Sequence, residues 1–381
     1  MQLTPLSALA NYRNGFAFKP EDRGIAGLPI VRIEQLLNPD AEPDLFEGVI
    51  PTTNRITDGD LIFSWSGTLA VRFWDRGPAY LNQHLFRVDP RPGVDKRWLR
   101  WALEEAIERM KPLMHGSAMT HITRRVLEET RVPMPPEATQ RTIASYLDTE
   151  TARLDRLVGA NERLVALVWQ RFRQIRRELL ADGLLLGAPD LVPRLAAFGW
   201  AVPRLWMVCR NHDGKRIPLN AEERASRPGP YPYWGANAIQ GYVDDWLFEG
   251  SHVLVGEDGA PYFDEERDVA WVADGQFWVN NHAHVLEPRG LEAEWLAECL
   301  NVVDYSQFVV GSTRDKLTQA ALNSVPIPLP PPESRSKVLA ELREVRSQAE
   351  AVEMAVARNV VLLKERRQAM ITAAVTGELE V

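Results

Sequence analysis

The residues best suited to catalysis are histidines and carboxylates in the second half of the chain. His282 and His284 are two residues apart, and side chains at this spacing share one face of a β-strand. Imidazole nitrogens bind metal ions, so the pair has the chemistry of two ligands. However, no other histidine or carboxylate recurs at ligand spacing, and the first half has Phe86 where His284 falls. Hydrogen bonding in a turn or in the core is the alternative.

Acidic turns provide a second candidate for chemistry. Asp213, Glu257 and Asp258 could serve as nuclease carboxylates, although acidic turns are common in proteins without catalytic function. The glycine-rich loops that bind nucleotide phosphates are absent from the sequence, as is the Gly-x-Ser-x-Gly motif of hydrolases. We therefore predict no catalytic residue and no metal site.

Residues 231–237 favour binding over catalysis. They combine three aromatic side chains with a glycine and an asparagine. An asparagine amide can bond adenine through two hydrogen bonds, and aromatic rings pack on sugars or bases. Tyr233 and Asn237 are therefore candidates for DNA contact. An aromatic turn that belongs to the core is the alternative.

Polar loops supply the other candidates for DNA contact. The loop 211–216 ends in two cations, and the loop 311–314 combines backbone amides with two hydroxyls and a cation, a composition that suits phosphate groups. Solvated turns are the alternative. The candidates in or close to these loops, together with two in the corresponding loop of the first half, are Lys215, Arg216, Ser312, Thr313, Arg314, Lys316, Ser117 and Thr120.

The composition is that of a globular protein with more than one domain. The 381 residues are 45% hydrophobic and 25% charged, and the net charge is −8. This charge excludes an overall basic protein but not a local basic face. No apolar run reaches 18 residues and the start of the chain lacks a signal pattern, so we expect a cytoplasmic protein without membrane contact. Cys209 and Cys299 form no disulfide framework or zinc motif.

The sequence is organised around a segment that occurs twice. A proline-rich turn at 132–136 precedes a long helical pattern, and a second proline-rich turn at 325–332 precedes another. Prolines exclude helix before each pattern and give each helix a defined start. The ends also match, because Arg173-Gln174 and Gly183 recur as Arg367-Gln368 and Gly377 at the same separation. Two copies of one architecture therefore make up the chain.

The second helical pattern has the heptad spacing of a coiled coil. Steps of four and three alternate from Val338 to Met370, and the residues on this seam are apolar except for Asn359 and Arg366. The first pattern is looser. We predict that the two helices, each roughly 60 Å long, pair antiparallel; packing of each helix on its own domain is the alternative. The candidates for docking partner proteins are Leu154, Leu164, Phe172, Val352, Leu363 and Met370.

The predicted fold class is α+β with an internal pseudo-two-fold repeat. Short β-like runs precede a helix that begins near Trp98, and the same order recurs before a helix near Trp295. We thus predict two similar globular α/β domains separated by two long antiparallel helices. The predicted boundaries are 1–136 for the first domain, 137–182 for the first helix, 183–199 for a linker, 200–332 for the second domain, and 333–381 for the second helix and tail.

The chain resembles the specificity (S) subunits of type I restriction–modification systems. The resemblance spans the whole chain, and its most specific part is the C-terminal segment 363–377. The second copy departs from the family pattern at 334–337, because no pair equivalent to Gln140-Arg141 follows the second proline turn. The resemblance therefore does not support the start of the second long helix at this place. The residues that carry the resemblance are 132–137, 140–141, 143–144, 151–155, 213–219, 231–237 and 363–377.

The resemblance implies that each globular domain is a target recognition domain that reads one half of a bipartite, asymmetric site in double-stranded DNA. It implies that the helices form a coiled-coil spacer that docks two methyltransferase (M) subunits. Restriction (R) subunits would join the full complex. The chain would not be an enzyme by itself and would carry no cofactor of its own, and S-adenosylmethionine, ATP and Mg²⁺ would belong to the partners. A coiled-coil adaptor that binds proteins without sequence-specific DNA recognition is the alternative.

Overall fold

The chain divides into two compact units. The structure is a computed structural model that describes residues 2–113, 121–310 and 315–379. The first unit comprises residues 1–160 and 358–381, and the second comprises residues 161–357. Each unit thus takes part of both long helices, and the five-segment division made from the sequence stays a prediction.

The first unit contains short strands, short helices and one medium helix before the first long helix. Its strands are β1 (Gln2–Pro5), β2 (Ala10–Asn14), β3 (Leu28–Val31), β4 (Leu45–Phe46), β5 (Arg55–Ile56), β6 (Leu61–Ser64), β7 (Ala70–Phe73), β8 (Ala79–Leu81), β9 (Leu85–Pro90) and β10 (Arg131–Met134). Its helices are α1 (Leu6–Leu9), α2 (Ile33–Leu37), α3 (Lys96–Met110), α4 (Arg124–Glu129) and the long α5 (Glu137–Ala181), which continues into the second unit.

The second unit repeats this order. Its strands are β11 (Cys209–Asn211), β12 (Tyr231–Trp234), β13 (Ile239–Val243), β14 (Phe248–Glu249), β15 (His252–Gly256), β16 (Ala270–Ala273), β17 (Gln276–Val279), β18 (Ala283–Pro288), β19 (Val309–Val310) and β20 (Lys316–Leu317). Its helices are α6 (Leu191–Ala197), α7 (Leu205–Val208), α8 (Ala221–Ala225), α9 (Ala293–Leu300), α10 (Gln319–Asn323) and the long α11 (Pro332–Thr376), which continues into the first unit.

The sheets of the two units have the same topology. The main sheet has the antiparallel order β2-β9-β6-β7 in the first unit and β11-β18-β15-β16 in the second. The smaller sheet has the order β4-β3-β8-β5 in the first unit and β13-β12-β17-β14 in the second, and its central pair is parallel in both. The internal repeat predicted from the sequence is therefore confirmed in the strand order.

The two long helices are also confirmed, each with 45 residues. Helix α5 begins at Glu137 as predicted. Helix α11 begins at Pro332, one residue before the predicted start, because the first helical position tolerates proline: its missing N–H would have no intrahelical acceptor there.

Within each unit, the long helices pack against each other in opposite directions. In the first unit, Ile143 and Leu147 near the start of α5 share a core with Ile371 and Val375 near the end of α11. In the second unit, Phe172 near the end of α5 shares a core with residues near the start of α11, namely Leu339 and Leu342. No helix among the described residues is both long and apolar enough to cross a membrane.

Candidate nucleic-acid interface

The candidate site lies at one end of the main sheet of the second unit. Strand β15 is buried over its whole length, as its apolar composition predicts. It pairs antiparallel with β18, and Gly256 lies opposite Ala283. Glu257, which follows β15, therefore reaches the same end of the sheet as His284. A short 3₁₀ turn at Asp213–Lys215, which follows β11, completes this end.

His284 and Asp213 form a buried ion pair. The Nδ1 atom of His284 lies 2.5 Å from Oδ2 of Asp213, and its Nε2 atom lies 2.8 Å from the carbonyl oxygen of Leu317. Both partners can accept, so both ring nitrogens are placed to donate, which is the hydrogen-bonding pattern of an imidazolium ion. The backbone N–H of Val285 donates to the other carboxylate oxygen of Asp213 at 2.9 Å. The imidazole and the carboxylate are thus both hydrogen-bonded where little water reaches them.

Arg216 joins this pair to Glu257. Its Nη1 atom donates to Oε2 of Glu257 at 2.6 Å and to the carbonyl oxygen of Ala283 at 2.7 Å, and its Nε donates to the carbonyl oxygen of Asp213 at 3.0 Å. Lys316 lies 3.1 Å from the other carboxylate oxygen of Glu257. We call these five residues, Asp213, Arg216, Glu257, His284 and Lys316, the ion network.

The ion network holds both carboxylates in the charged form. Burial acts to raise the pKa of Asp213, but the hydrogen bond and charge of His284, the N–H of Val285 and the charge of Arg216 outweigh it and lower the pKa. Burial likewise acts to raise the pKa of Glu257, and hydrogen bonds from Arg216 and Lys316 outweigh it and lower the pKa.

The geometry of the ion network tests the hypotheses that these histidines and carboxylates bind a metal ion or serve a nuclease. Ligand atoms of Asp213, Glu257 and His284 lie within 4.8 Å of one another, a spacing that a metal ion could use. The cations of Arg216 and Lys316 already neutralise these carboxylates, so an ion would have to displace them, and the residues fit a metal poorly. His282 bonds Asp258 at 2.7 Å instead of sharing a centre with His284. The hydrogen-bonding alternative thus describes both histidines.

The structure gives the sequence candidates different environments. Lys215 is exposed and Lys316 is half exposed, whereas the Arg216 side chain is only 12% exposed. Tyr233 is fully buried, and its hydroxyl group hydrogen-bonds the backbone of Leu219. Its ring therefore belongs to the core, in agreement with the alternative that residues 231–237 form an aromatic core turn.

Asn237 is held by the neighbouring turn. Its Nδ2 atom donates to the carbonyl oxygen of Gly259 at 3.1 Å. Its Oδ1 atom is buried and has no hydrogen-bond partner among the residues that the structure describes. An adenine contact through both amide atoms would therefore require the side chain to turn outward.

Five loop candidates fall outside the described residues, and their assignment stays a prediction. The segments after these loops are described and occupy corresponding places: His121 bridges to Ser66 in the first unit, and Lys316 bridges to Asp258 in the second. The five candidates are Ser117, Thr120, Ser312, Thr313 and Arg314.

The helix candidates also differ in exposure. Leu154 and Phe172 are buried, so their side chains serve the fold of the chain itself. Val352, Leu363 and Met370 are partly buried, and Leu164 is 47% exposed. Of the six, Leu164 offers the largest apolar surface to a partner.

Sequence reasoning missed the role of Arg335. In the first unit, Gln140 donates from Nε2 to the carbonyl oxygens of Pro135 and Gly93. In the second unit, Arg335 donates to the equivalent carbonyl oxygens of Pro330 and Gly290. Both side chains join the helix start to the turn before it. The replacement of Gln140 by Arg335 in the second copy therefore preserves the local structure. The sequence signal that could have indicated this role is that Gln140 and Arg335 stand at the same distance from their proline turns.

Comparison with known proteins identifies the family. The family model for the type I restriction modification DNA specificity domain matches the chain twice, at residues 5–162 and 199–347. A putative type I restriction enzyme specificity subunit of Haemophilus influenzae is 41% identical over 117 residues, which are 30% of this chain and 29% of that protein. The EcoBI specificity subunit of Escherichia coli is 30% identical over 172 residues, 44% of this chain and 36% of that protein. The alignments thus span about a third of these relatives.

Solved structures show the same fold. A chain of a type I R-M system, solved to describe complex assembly and conformational transition, superposes with a TM-score of 0.70 over 99% of this chain and 98% of its own, at 18% identity. The HsdS subunit of Thermoanaerobacter tengcongensis gives a TM-score of 0.50 over 99% and 97%, also at 18% identity. With two matched copies that cover most of its length, this chain belongs to the family of type I restriction modification DNA specificity domains.

Proposed function

We propose that this chain is the DNA sequence-specificity subunit of a type I restriction–modification complex. Each domain reads one half of a bipartite, asymmetric site in double-stranded DNA. The observation that carries the proposal is the repeated scaffold with different side chains at equivalent positions. One scaffold used twice provides two readers, and different side chains give them different targets.

The long helices provide the surfaces for partner proteins. In this proposal they dock two methyltransferase subunits and set the distance between the two half-sites, and restriction subunits join the full complex. The exposed leucine at position 164, with Leu167 at 60% exposure, supports a protein contact on α5. The chemistry belongs to the partners, which bind S-adenosylmethionine, ATP and Mg²⁺. The partners also supply part of the phosphate affinity, because this chain is acidic.

The proposal is tested by co-expressing the chain with the methyltransferase subunit encoded beside it, in a host that lacks other DNA methylation. Sequencing of the host genome then maps modified adenines. We expect one split motif, with two short defined halves around a fixed gap. Exchange of residues 200–324 for the matching part of a related subunit should change one half and preserve the other.

Other outcomes are equally informative. A motif altered in both halves by the domain exchange would contradict independent reading by the two domains. A stable complex with the methyltransferase that leaves the genome unmodified and binds DNA without sequence preference would favour the adaptor function over DNA recognition.

A further inference from the structure

Arg216 has the charge that a phosphate contact requires, but its guanidinium group is not placed to make one. Its guanidinium group donates to Glu257 and to two backbone carbonyl oxygens, at distances of 2.6 to 3.0 Å. A further backbone oxygen, that of Asn281, lies at 3.4 Å. With only 12% of the side chain exposed, the donors face the protein instead of the solvent.

These contacts join segments that are distant in sequence. Arg216 follows the turn that carries the exposed Lys215, and it contacts the first residue of β18 and the turn before that strand, as well as the residue after β15. Through Glu257 it is connected to Lys316, which begins β20 shortly after the loop 311–314. One planar guanidinium group with a fixed donor geometry thus sets the relative positions of three segments at this end of the sheet.

The first unit lacks this arrangement at the equivalent positions. Trp65 follows β6 where Glu257 follows β15, and Phe86 occupies the place of His284. These two rings stack with centroids 5.7 Å apart. The same end of the sheet is therefore held by aromatic packing in the first unit and by charged hydrogen bonds in the second.

We infer that Arg216 is a positioning residue for the second recognition domain: it holds the segments that carry Lys215 and Lys316 in the geometry that reads one half-site, and it does not itself contact DNA. The inference rests on the proposed function. It assigns phosphate contact to Lys215 and sequence discrimination to the geometry that Arg216 maintains.

The test measures DNA binding by the complex of the full chain with its methyltransferase subunit over a range of salt concentrations. Three duplexes are compared: the intact site, the site with the first half altered, and the site with the second half altered. The half read by the second domain is identified beforehand by the domain exchange described above. The variants are Arg216→Gln, Arg216→Lys and, as the matched control, Lys215→Gln.

We expect Arg216→Gln to reduce discrimination at the second half-site by about tenfold or more, and to preserve discrimination at the first half-site and the salt dependence. Lys215→Gln should weaken binding to all three duplexes equally and reduce the salt slope by about one. Arg216→Lys separates the two roles: lysine preserves a phosphate contact but cannot join three segments, so it should behave like glutamine.

Two results would overturn the inference while the proposed function stands. One is an Arg216→Gln complex that discriminates like the wild type. The other is a uniform loss of affinity with a smaller salt slope, rescued by Arg216→Lys. If Arg216→Gln fails to fold, Glu257→Gln tests the same connection, and normal discrimination by that variant would also overturn it. Failure of the wild-type complex to discriminate either half-site would instead reject the proposed function.

Discussion

The two units hold the same end of the same sheet by different physical means. In the first unit, the ring of Phe86 contacts those of Tyr12, Phe63 and Trp65, with centroid distances of 5.7 to 6.4 Å. In the second unit, His284 stands at the equivalent strand position and belongs to the ion network. Aromatic packing depends on burial and shape, whereas the ion network depends on protonation and on complete pairing of its charges.

The backbone beneath these side chains is the same. The N–H of Trp65 donates to the carbonyl oxygen of His84, and that of Glu257 donates to the carbonyl oxygen of His282. The carbonyl oxygens of Trp65 and Glu257 each accept a hydrogen bond at 2.9 Å from the segment that follows the loop, from Ile122 in the first unit and Leu317 in the second. The scaffold is thus set by backbone hydrogen bonds that any residue except proline can make, which leaves the side chains free to differ between domains.

The largest effect is expected from His284→Phe, which places the residue of the first unit in the second. Phenylalanine removes the side-chain hydrogen bond that the nearly buried carboxylate of Asp213 accepts from His284, which should cost about 3–5 kcal/mol of unfolding free energy. Hydrogen–deuterium exchange of peptides from β15 and β18 measures the loss. The control His282→Phe, at a more exposed position, should cost less. Unchanged protection of these strands would show that Asp213 does not depend on His284.

The reverse exchange, Phe86→His, should have a smaller effect. It places a polar ring among aromatic side chains that offer it no matched charge, at a cost of about 1–3 kcal/mol. Phe86→Leu, which keeps the site apolar, should cost less than about 1.5 kcal/mol. Exchange of peptides from β6 and β9 reports both. A histidine variant as stable as the leucine variant would mean that packing does not control this end of the sheet.

Acid should destabilise the second unit through the ion network. The pKa values of Asp213 and Glu257 are lowered from 3.8 and 4.5 in the folded state, so their contribution to stability is present above these values and is lost as the pH falls below them. Asn14 and Trp65, at the equivalent positions, do not titrate there. Exchange of β15 peptides from about pH 5 down to about pH 2 should show this loss, and Asp213→Asn should diminish it. An unchanged profile in that variant would exclude Asp213 as a cause.

The smallest effect concerns an ion pair whose polarity is reversed between the units. Arg97 on α3 bonds Asp148 on α5 at 2.7 Å, whereas Glu294 on α9 bonds Arg343 on α11 at 2.8 Å. Arg343→Asp should cost no more than about 1 kcal/mol, because the pair is largely exposed. Adding Glu294→Arg should restore the stability with the polarity of the first unit. Thermal unfolding of the single and double variants measures the change in stability. A double variant that is no more stable than the single variant would show that the ion pair does not stabilise the fold.

Much of the fold could be predicted because its signals are local. The proline turns before Glu137 and Pro332 stop one element and start the next, and the apolar spacing over 338–370 identifies a helix with one buried face. The predicted seam holds for Leu342 and Ala349, which are buried, but Asn359 and Arg366 are exposed. Periodicity indicates which face is apolar, whereas burial also depends on what packs against that face.

The candidate site could be predicted only in part because side-chain orientation depends on distant residues. The sequence identified Lys215 and Arg216 as neighbouring cations with the same role. The structure separates them: Lys215 is exposed, while Arg216 contacts a glutamate 41 residues away. Tyr233 is a second example, because an aromatic residue in a turn-like segment can belong to a binding site or to the core, and the sequence does not distinguish the two. The structure places it in the core.

The sequence by itself determined the duplication, the long helices, the fold class and the family resemblance. Each depends on residue order, periodicity or matching segments, which are properties of the chain before it folds. Only the tertiary structure decided that Asp213 and His284, 71 residues apart, form one ion pair, and that Arg335 replaces Gln140. The physical reason is that strand pairing sets which side chains meet and burial sets which charges must be matched, and both arise only when distant segments pack together.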